Sequence, residues 1–467
     1  MVTLKSFLGM IAAVPFIMAC NQTGQVNATL FPASGSENVN PDTHLVLTFS
    51  ETPVLGDSGM IRVYDAVTDQ VVDSLDLSIP PGPTESRTYG PECDYTKVPY
   101  DYTRTVMPTN KDTRPGTPSG TAEPTPPVYQ LTIIGGFTDA FHFYPVIVRD
   151  SIATIYLHNN MLEYGHTYYV TIDNGVLNLA DGSFQGVTKE DEWVFTTKSD
   201  MLELSDTLIV DVAGKGDFNT VQGALDFIPD FNEQQTVILV NPGDYEELVY
   251  TRNKWHVKIK GAGMADTKVH YANNEVFNPH PLTVKTNEWP GTFPSRRAAF
   301  MLDNCKDIVI EDMTIATDLK GQAEGLLING ERIALYRVHI IGSGDALQAN
   351  GTIYMESCEL DGGGDTILGR GSLFAYKSNF RNGGGPFSWV RNTVGNHGNV
   401  FVECTFSTED GKQADYGRTK SNHGSAYPDA EFVLIDCKVK NIIPEGWSSI
   451  GAKTAKMYEY NKIGRAH

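Results

Sequence analysis

Two aspartates, Asp345 and Asp365, occupy matching glycine-rich settings, Gly342-Ser-Gly-Asp345-Ala-Leu347 and Gly362-Gly-Gly-Asp365-Thr-Ile-Leu-Gly369. Standing alone, a glycine-flanked aspartate is most often a turn former. These two share a spacing: Asp345 lies seven residues after Val338, and Asp365 lies seven after Cys358. If Val338 and Cys358 stack in a repeat, both carboxylates face one spot, about 4.8 Å apart, the separation of neighbouring strands. Carboxylates that close resist double ionisation, share a proton and titrate as a unit. One can then act as nucleophile or base and the other as acid, a division of labour that suits ester cleavage and glycoside hydrolysis equally.

The elements that would hold them are short strands in a repeat. Met313, Val338, Cys358, Ser378, Cys404 and Cys437 fall in one register, at gaps of 20 to 33 residues. Units of that length cannot bury an apolar face alone and must stack, and strand-sized units stack as a right-handed parallel β-helix. The expected fold class is therefore all-β. Cysteines after Cys20 number five, Cys93, Cys305, Cys358, Cys404 and Cys437, with no CxxC pair. Neither a zinc site nor a disulfide framework is indicated, and the thiols read as core. No metal and no cofactor are expected.

Upstream, the texture differs. Residues 1–20 read as a signal peptide: a short apolar run from Phe7 to Ala19 ends at Ile17-Met18-Ala19-Cys20, which resembles a bacterial lipobox with Cys20 as the lipidated residue. The run is too short for a bilayer span. The expected location is the outer membrane, facing the periplasm or the cell surface, with the lipid as anchor. Residues 21–200 carry alternating strands such as Leu45-Val-Leu-Thr-Phe49 and Trp193-Val-Phe-Thr-Thr-Lys198, which predict a β-sandwich and resemble bacterial immunoglobulin-like modules. A Pro-rich insert between Ile79 and Tyr129 is expected to wrap its surface. Residues 201–467 form the solenoid. A net charge of −21 and the lack of a basic stripe exclude nucleic acid as a partner. A single-chain, monomeric protein is expected.

From about Leu208 to Asn461 the chain resembles the catalytic domain of pectin methylesterases, through landmarks in the family's order. Gly214-Lys-Gly-Asp-Phe218 is similar to the family's GSGDF stretch, Gly243-Asp-Tyr245-Glu-Glu247 to GxYxE, and Gln322-Ala-Glu-Gly-Leu326 to QAVAL. Gly344-Asp345-Ala-Leu347 sits where the family has QDTL, Asp365-Thr-Ile-Leu-Gly369 where it has DFIFG, and Tyr416-Gly-Arg418 resembles the LGR of LGRPW. Pro444-Glu-Gly-Trp447 and Glu459-Tyr-Asn461 resemble the closing PEGW and EYN elements.

The resemblance implies an esterase that removes methyl groups from galacturonate in pectin. Asp365 would be the nucleophile, Asp345 the general acid and then base, Gln322 an oxyanion donor, and Arg418 the ion-pair partner of Asp365. Methylated, nearly neutral pectin also suits an acidic chain better than a fully ionised polyuronate does. Three departures stand out. Gly344 replaces a glutamine donor, leaving Gln348 or a backbone amide to substitute; Lys420 stands at a substrate-stacking tryptophan; and Arg418 follows Asp365 more closely than is usual. Trp389 or Tyr416 could supply the aromatic platform instead. A β-helix glycoside hydrolase and a non-catalytic pectin-binding lipoprotein remain as alternatives.

Overall fold

Strands dominate because Val, Ile, Phe and Tyr recur in short runs broken by Gly, Asn and Pro. The computed structural model describes residues 26–84, 129–137, 141–200, 202–203, 205–279, 295–392, 394–420, 427–448 and 450–461. The expected signal peptide, Cys20, Cys93 and most of the Pro-rich insert lie outside the described residues.

The described residues between 26 and 199 build two larger packed sheets, beside two short two-stranded ones. One, of four strands, runs Thr29–Phe31, Leu45–Thr48, Ile152–Ile155 and Val146–Arg149, all antiparallel. The other, of five, joins Ser36–Val39, Val194–Thr197, Thr167–Ile172, Met60–Asp65 and Gln70–Asp76. Inward positions of both close on Leu47, Val63, Phe195 and Trp193, whose indole N–H donates to the Pro32 carbonyl.

From Thr207 onward every strand pairing is parallel, which bears out the β-helix expected from the repeat. The six-stranded face comprises Val249–Arg252, Phe300–Lys306, Leu326–Glu331, Leu347–Ala349, Ile367–Gly369 and Ser388–Val390. A sixteen-stranded sheet bends round the other sides. The register is the one read from the repeat: Met313 pairs with Val338, and the ladder through Glu359, Asn379, Thr405 and Lys438 aligns Cys358, Ser378, Cys404 and Cys437 immediately before them. All six of these side chains are buried.

A local device makes each coil turn at this column. Asp312, Arg337, Ser357, Lys377, Glu403 and Asp436, one residue before each column member, all have φ between 48° and 59°. Left-handed backbone at a non-glycine residue costs roughly 1 kcal/mol. Here it turns the chain sharply, and the next coil takes up the freed donors: Val338 N–H donates to Cys358 Sγ at 3.4 Å, and Cys358 N–H to Ser378 Oγ at 3.1 Å. Small side chains with an acceptor atom therefore suit this position.

The two units meet along the six-stranded face. Its outward row reads Tyr250, Met301, Leu327, Gln348, Leu368, Trp389. Ile134, Phe137 and Phe141 of the N-terminal unit bury the first three of these. Arg252 and Arg296 lie 4.0 and 4.1 Å from the Phe137 and Phe141 ring centres. Elsewhere Asp42 accepts from the Asn219 and Thr220 amides, at the start of the helix Val221–Phe227, and Arg149 pairs with Glu246 at 2.5 Å. The aspartates stand on the coils where the cover ends.

Candidate active site

Parallel pairing of Leu326 with Leu347 and of Leu347 with Ile367 aligns the residues two positions earlier on each coil. Those residues are Glu324, Asp345 and Asp365, so an acidic column spans three coils, one more than the sequence spacing predicted. Glycine lets the turns around it nest. A Cβ on Gly342 would lie 1.8 Å from the Asp345 carbonyl oxygen, and one on Gly363 would lie 2.3 Å from that of Ser343.

Two arginines hold the column at its ends. Arg418 makes a two-point ion pair with Asp365, Nε to Oδ1 at 2.9 Å and Nη2 to Oδ2 at 2.5 Å, both side chains mostly buried. It is itself fixed to the neighbouring strand, its N–H donating to Ser388 O at 2.9 Å, and it donates to the Lys420 carbonyl at 3.2 Å. Arg297 forks onto Glu324, with Nε at 2.8 Å and Nη2 at 2.5 Å from Oε1, donates through Nη1 to the Gln322 amide oxygen, and reaches Asp345 Oδ2 at 3.2 Å. Such forks are matched to carboxylates in shape as well as charge.

Among the described residues, Asp345, in the middle, takes one side-chain bond, from Arg297 at 3.2 Å. Burial pushes its carboxyl up to about 7; Arg297 and Arg391 pull against this, while Glu324 and Asp365 add to it. A carboxyl that keeps its proton up to about neutrality, next to one clamped by an arginine, is an acid beside a nucleophile.

The remaining expected residues divide. Gln322 is exposed at the column's edge, open to a substrate. Gln348 is not: it is 1% exposed, under the neighbouring side chains, so the expectation that it replaces the donor lost at Gly344 is corrected. Tyr416 is also corrected. It is fully buried, packed between Phe406 and Trp447, and offers no platform. Trp389 is half-buried, with the guanidinium carbons of Arg391 and Arg418 each 4.3 Å from its ring centre, so it braces the arginine that braces Asp365. Lys420 is exposed, with its carbonyl turned to Arg418. Sequence reasoning missed Arg297 and Glu324. The available signal was Glu324 itself, an acid inside a motif whose counterpart is apolar, at the entry of a buried strand.

Among the described residues, Glu246, His270 and Asp318 gather possible ligand atoms within 4.8 Å of one another. Cations of the protein already serve them. Arg149 pairs with Glu246, and His270 sits 2.5 Å from Asp318 and 2.9 Å from Asp244; although burial pulls it down, these carboxylates hold its imidazole up at about 9. The trio is an ion-pair network at the junction of the two units, away from the acidic column.

The pectinesterase family model matches residues 207–465. Among curated proteins, the chain is 28% identical over 279 residues to Pectinesterase QRT1 of Arabidopsis thaliana, covering 56% of this chain and 70% of that one. It is 24% identical over 264 residues to Pectinesterase 31 of the same plant, covering 54% and 80%. Among solved structures, the pectin methylesterase from carrot aligns with a TM-score of 0.46 at 17% identity, over 57% of this chain and 86% of that one. That of Aspergillus niger, in deglycosylated form, aligns with a TM-score of 0.45 at 18% identity, over 56% and 86%. With the family model spanning the whole β-helix, acidic column included, this chain belongs to the pectinesterase family.

Proposed function

We propose that the chain hydrolyses the methyl esters of galacturonate in pectin through a covalent aspartyl intermediate. One observation carries the reading: an arginine-clamped carboxylate, Asp365, next to a buried carboxyl, Asp345, whose proton affinity is raised to about 7. Asp365 attacks the ester carbon. The oxyanion that forms is met by the Gln322 amide, and a donor so placed is worth on the order of 3 kcal/mol. Asp345 gives its proton to the departing methoxide, releasing methanol and leaving an anhydride between Asp365 and the galacturonate carbonyl. Asp345, now a base, takes a proton from water as that water attacks the anhydride, freeing the galacturonate acid and restoring Asp365. The exposed Lys420 offers a cation beside the column to a polymer carrying some free carboxylates.

Asp365→Asn is expected to lower methanol release from methylated pectin by at least about 10³-fold, as loss of a nucleophile does. Undiminished release would move the nucleophile elsewhere. Reducing ends appearing without methanol would mark a glycosidase instead.

The lipobox-like segment supports a lipoprotein of the outer membrane anchored through Cys20; we propose further that it is a monomer and that its N-terminal sandwich is an immunoglobulin-like module. Cys20→Ser should move the protein from the membrane fraction to the soluble one, and an unchanged distribution would defeat the anchor. Among the described residues no helix is long and apolar enough to cross a membrane.

A further inference from the structure

We propose that Arg297, clamped by the fully buried Glu324, is a positioning residue of this site: it fixes which way round the Gln322 amide faces and steadies Asp345, replacing the side-chain amide that Gly344 lacks. The proposal rests on the esterase reading above and deepens it.

Three contacts argue for it. Glu324 is 0% exposed and receives both Nε and Nη2 of Arg297, so the guanidinium plane is set from below by a group that cannot move. A guanidinium only donates, so the oxygen of the Gln322 amide must turn to Nη1, and its NH₂ is left facing the cleft. Without that partner the amide would be free to present its oxygen, which would repel an oxyanion. The second hydrogen of Nη2 reaches Asp345 Oδ2 at 3.2 Å. Gln348, the other amide nearby, is buried and cannot take the role. The groups facing Asp345 are thus Arg297, Glu324, Asp365 and Arg391, and Arg297 is the larger of the two that favour its charged form.

The test uses the full-length protein and methylated pectin, measuring kcat and KM across pH for Arg297→Gln, Arg297→Lys and the double variant Arg297→Gln/Glu324→Gln. The double variant removes the buried pair together, so no acid is stranded and the fold survives. Expected for the double variant and for Arg297→Gln is a fall in kcat of about 10²-fold, the scale of one lost oxyanion donor, with KM changed less than about threefold. In Arg297→Gln the alkaline limb should also move to higher pH, because Asp345 has lost a cation. Arg297→Lys keeps the charge and hence the limb, but lacks the fork that serves Glu324 and Gln322 at once, so its kcat should still drop. A double variant with wild-type kcat and pH profile overturns the proposal, as does a rise in KM alone, which would make Arg297 a substrate contact. If the wild type releases no methanol, the esterase reading falls first. Carboxyl ¹³C NMR then decides the rest: an Asp345 midpoint that moves up in Arg297→Gln supports the positioning role, and an unmoved one overturns it.

Discussion

At the scale of the residue, Asp345 concentrates the cost and the use of this site. Its proton affinity is raised in the folded state to about 7, against about 3.9 for an unfolded aspartate. Between those values the folded protein binds the extra proton, so this group's contribution to stability is greatest at low pH and is lost as pH rises towards 7. Asp345→Asn, which carries no charge to bury, should therefore melt a few degrees above the wild type at pH 8, by the usual scaling of a kcal/mol or two. The gap should narrow as pH falls and close near pH 4, where the unfolded aspartate also keeps its proton, and differential scanning fluorimetry across pH would show whether it does. Catalysis runs the same way: the acid must be protonated to release the alcohol, so kcat should fall as pH rises through about 7. A flat profile from pH 5 to 9 would mean that another group supplies the proton.

At the scale of the element, the corner column explains why part of the site was legible. A repeat of core residues every 20 to 33 positions fixes which coil each aspartate is on, and equal offsets from Val338 and Cys358 then bring Asp345 and Asp365 together. Glu324 shares their column, but it stands eleven residues after Met313 rather than seven, so equal offsets do not find it. Arg297 lies 48 residues before Asp345, outside the repeat's register, and only the fold brings it there. Tyr416 misled for the opposite reason: its place in a motif says where it stands along the chain, not which side of the wall it faces. The corner column makes its own prediction. Ser378→Ala strands the Cys358 N–H in the core and should cost about 1–3 kcal/mol, whereas Ser378→Cys keeps an acceptor and should recover most of it. Thermal melts of the two variants provide the check, and equal melts would show that the bond contributes nothing.

At the scale of the whole molecule, the sandwich is part of the solenoid's wall. Phe141, fully buried against Tyr250 and under Arg296, closes the seam between the units. Phe141→Ala should cost about 3–5 kcal/mol, the usual penalty for emptying a buried aromatic site. Limited proteolysis should then cut between the units before either unit is degraded, and simultaneous loss of both would argue against a separate seam. The covering segment also precedes in sequence the coils it covers. During synthesis it emerges first, so the earliest coils can stack against a ready-made template. Stacking that starts on that template leaves the most recent coil as the raw edge open to mispairing, and the last described strand in that order is Lys456–Tyr460.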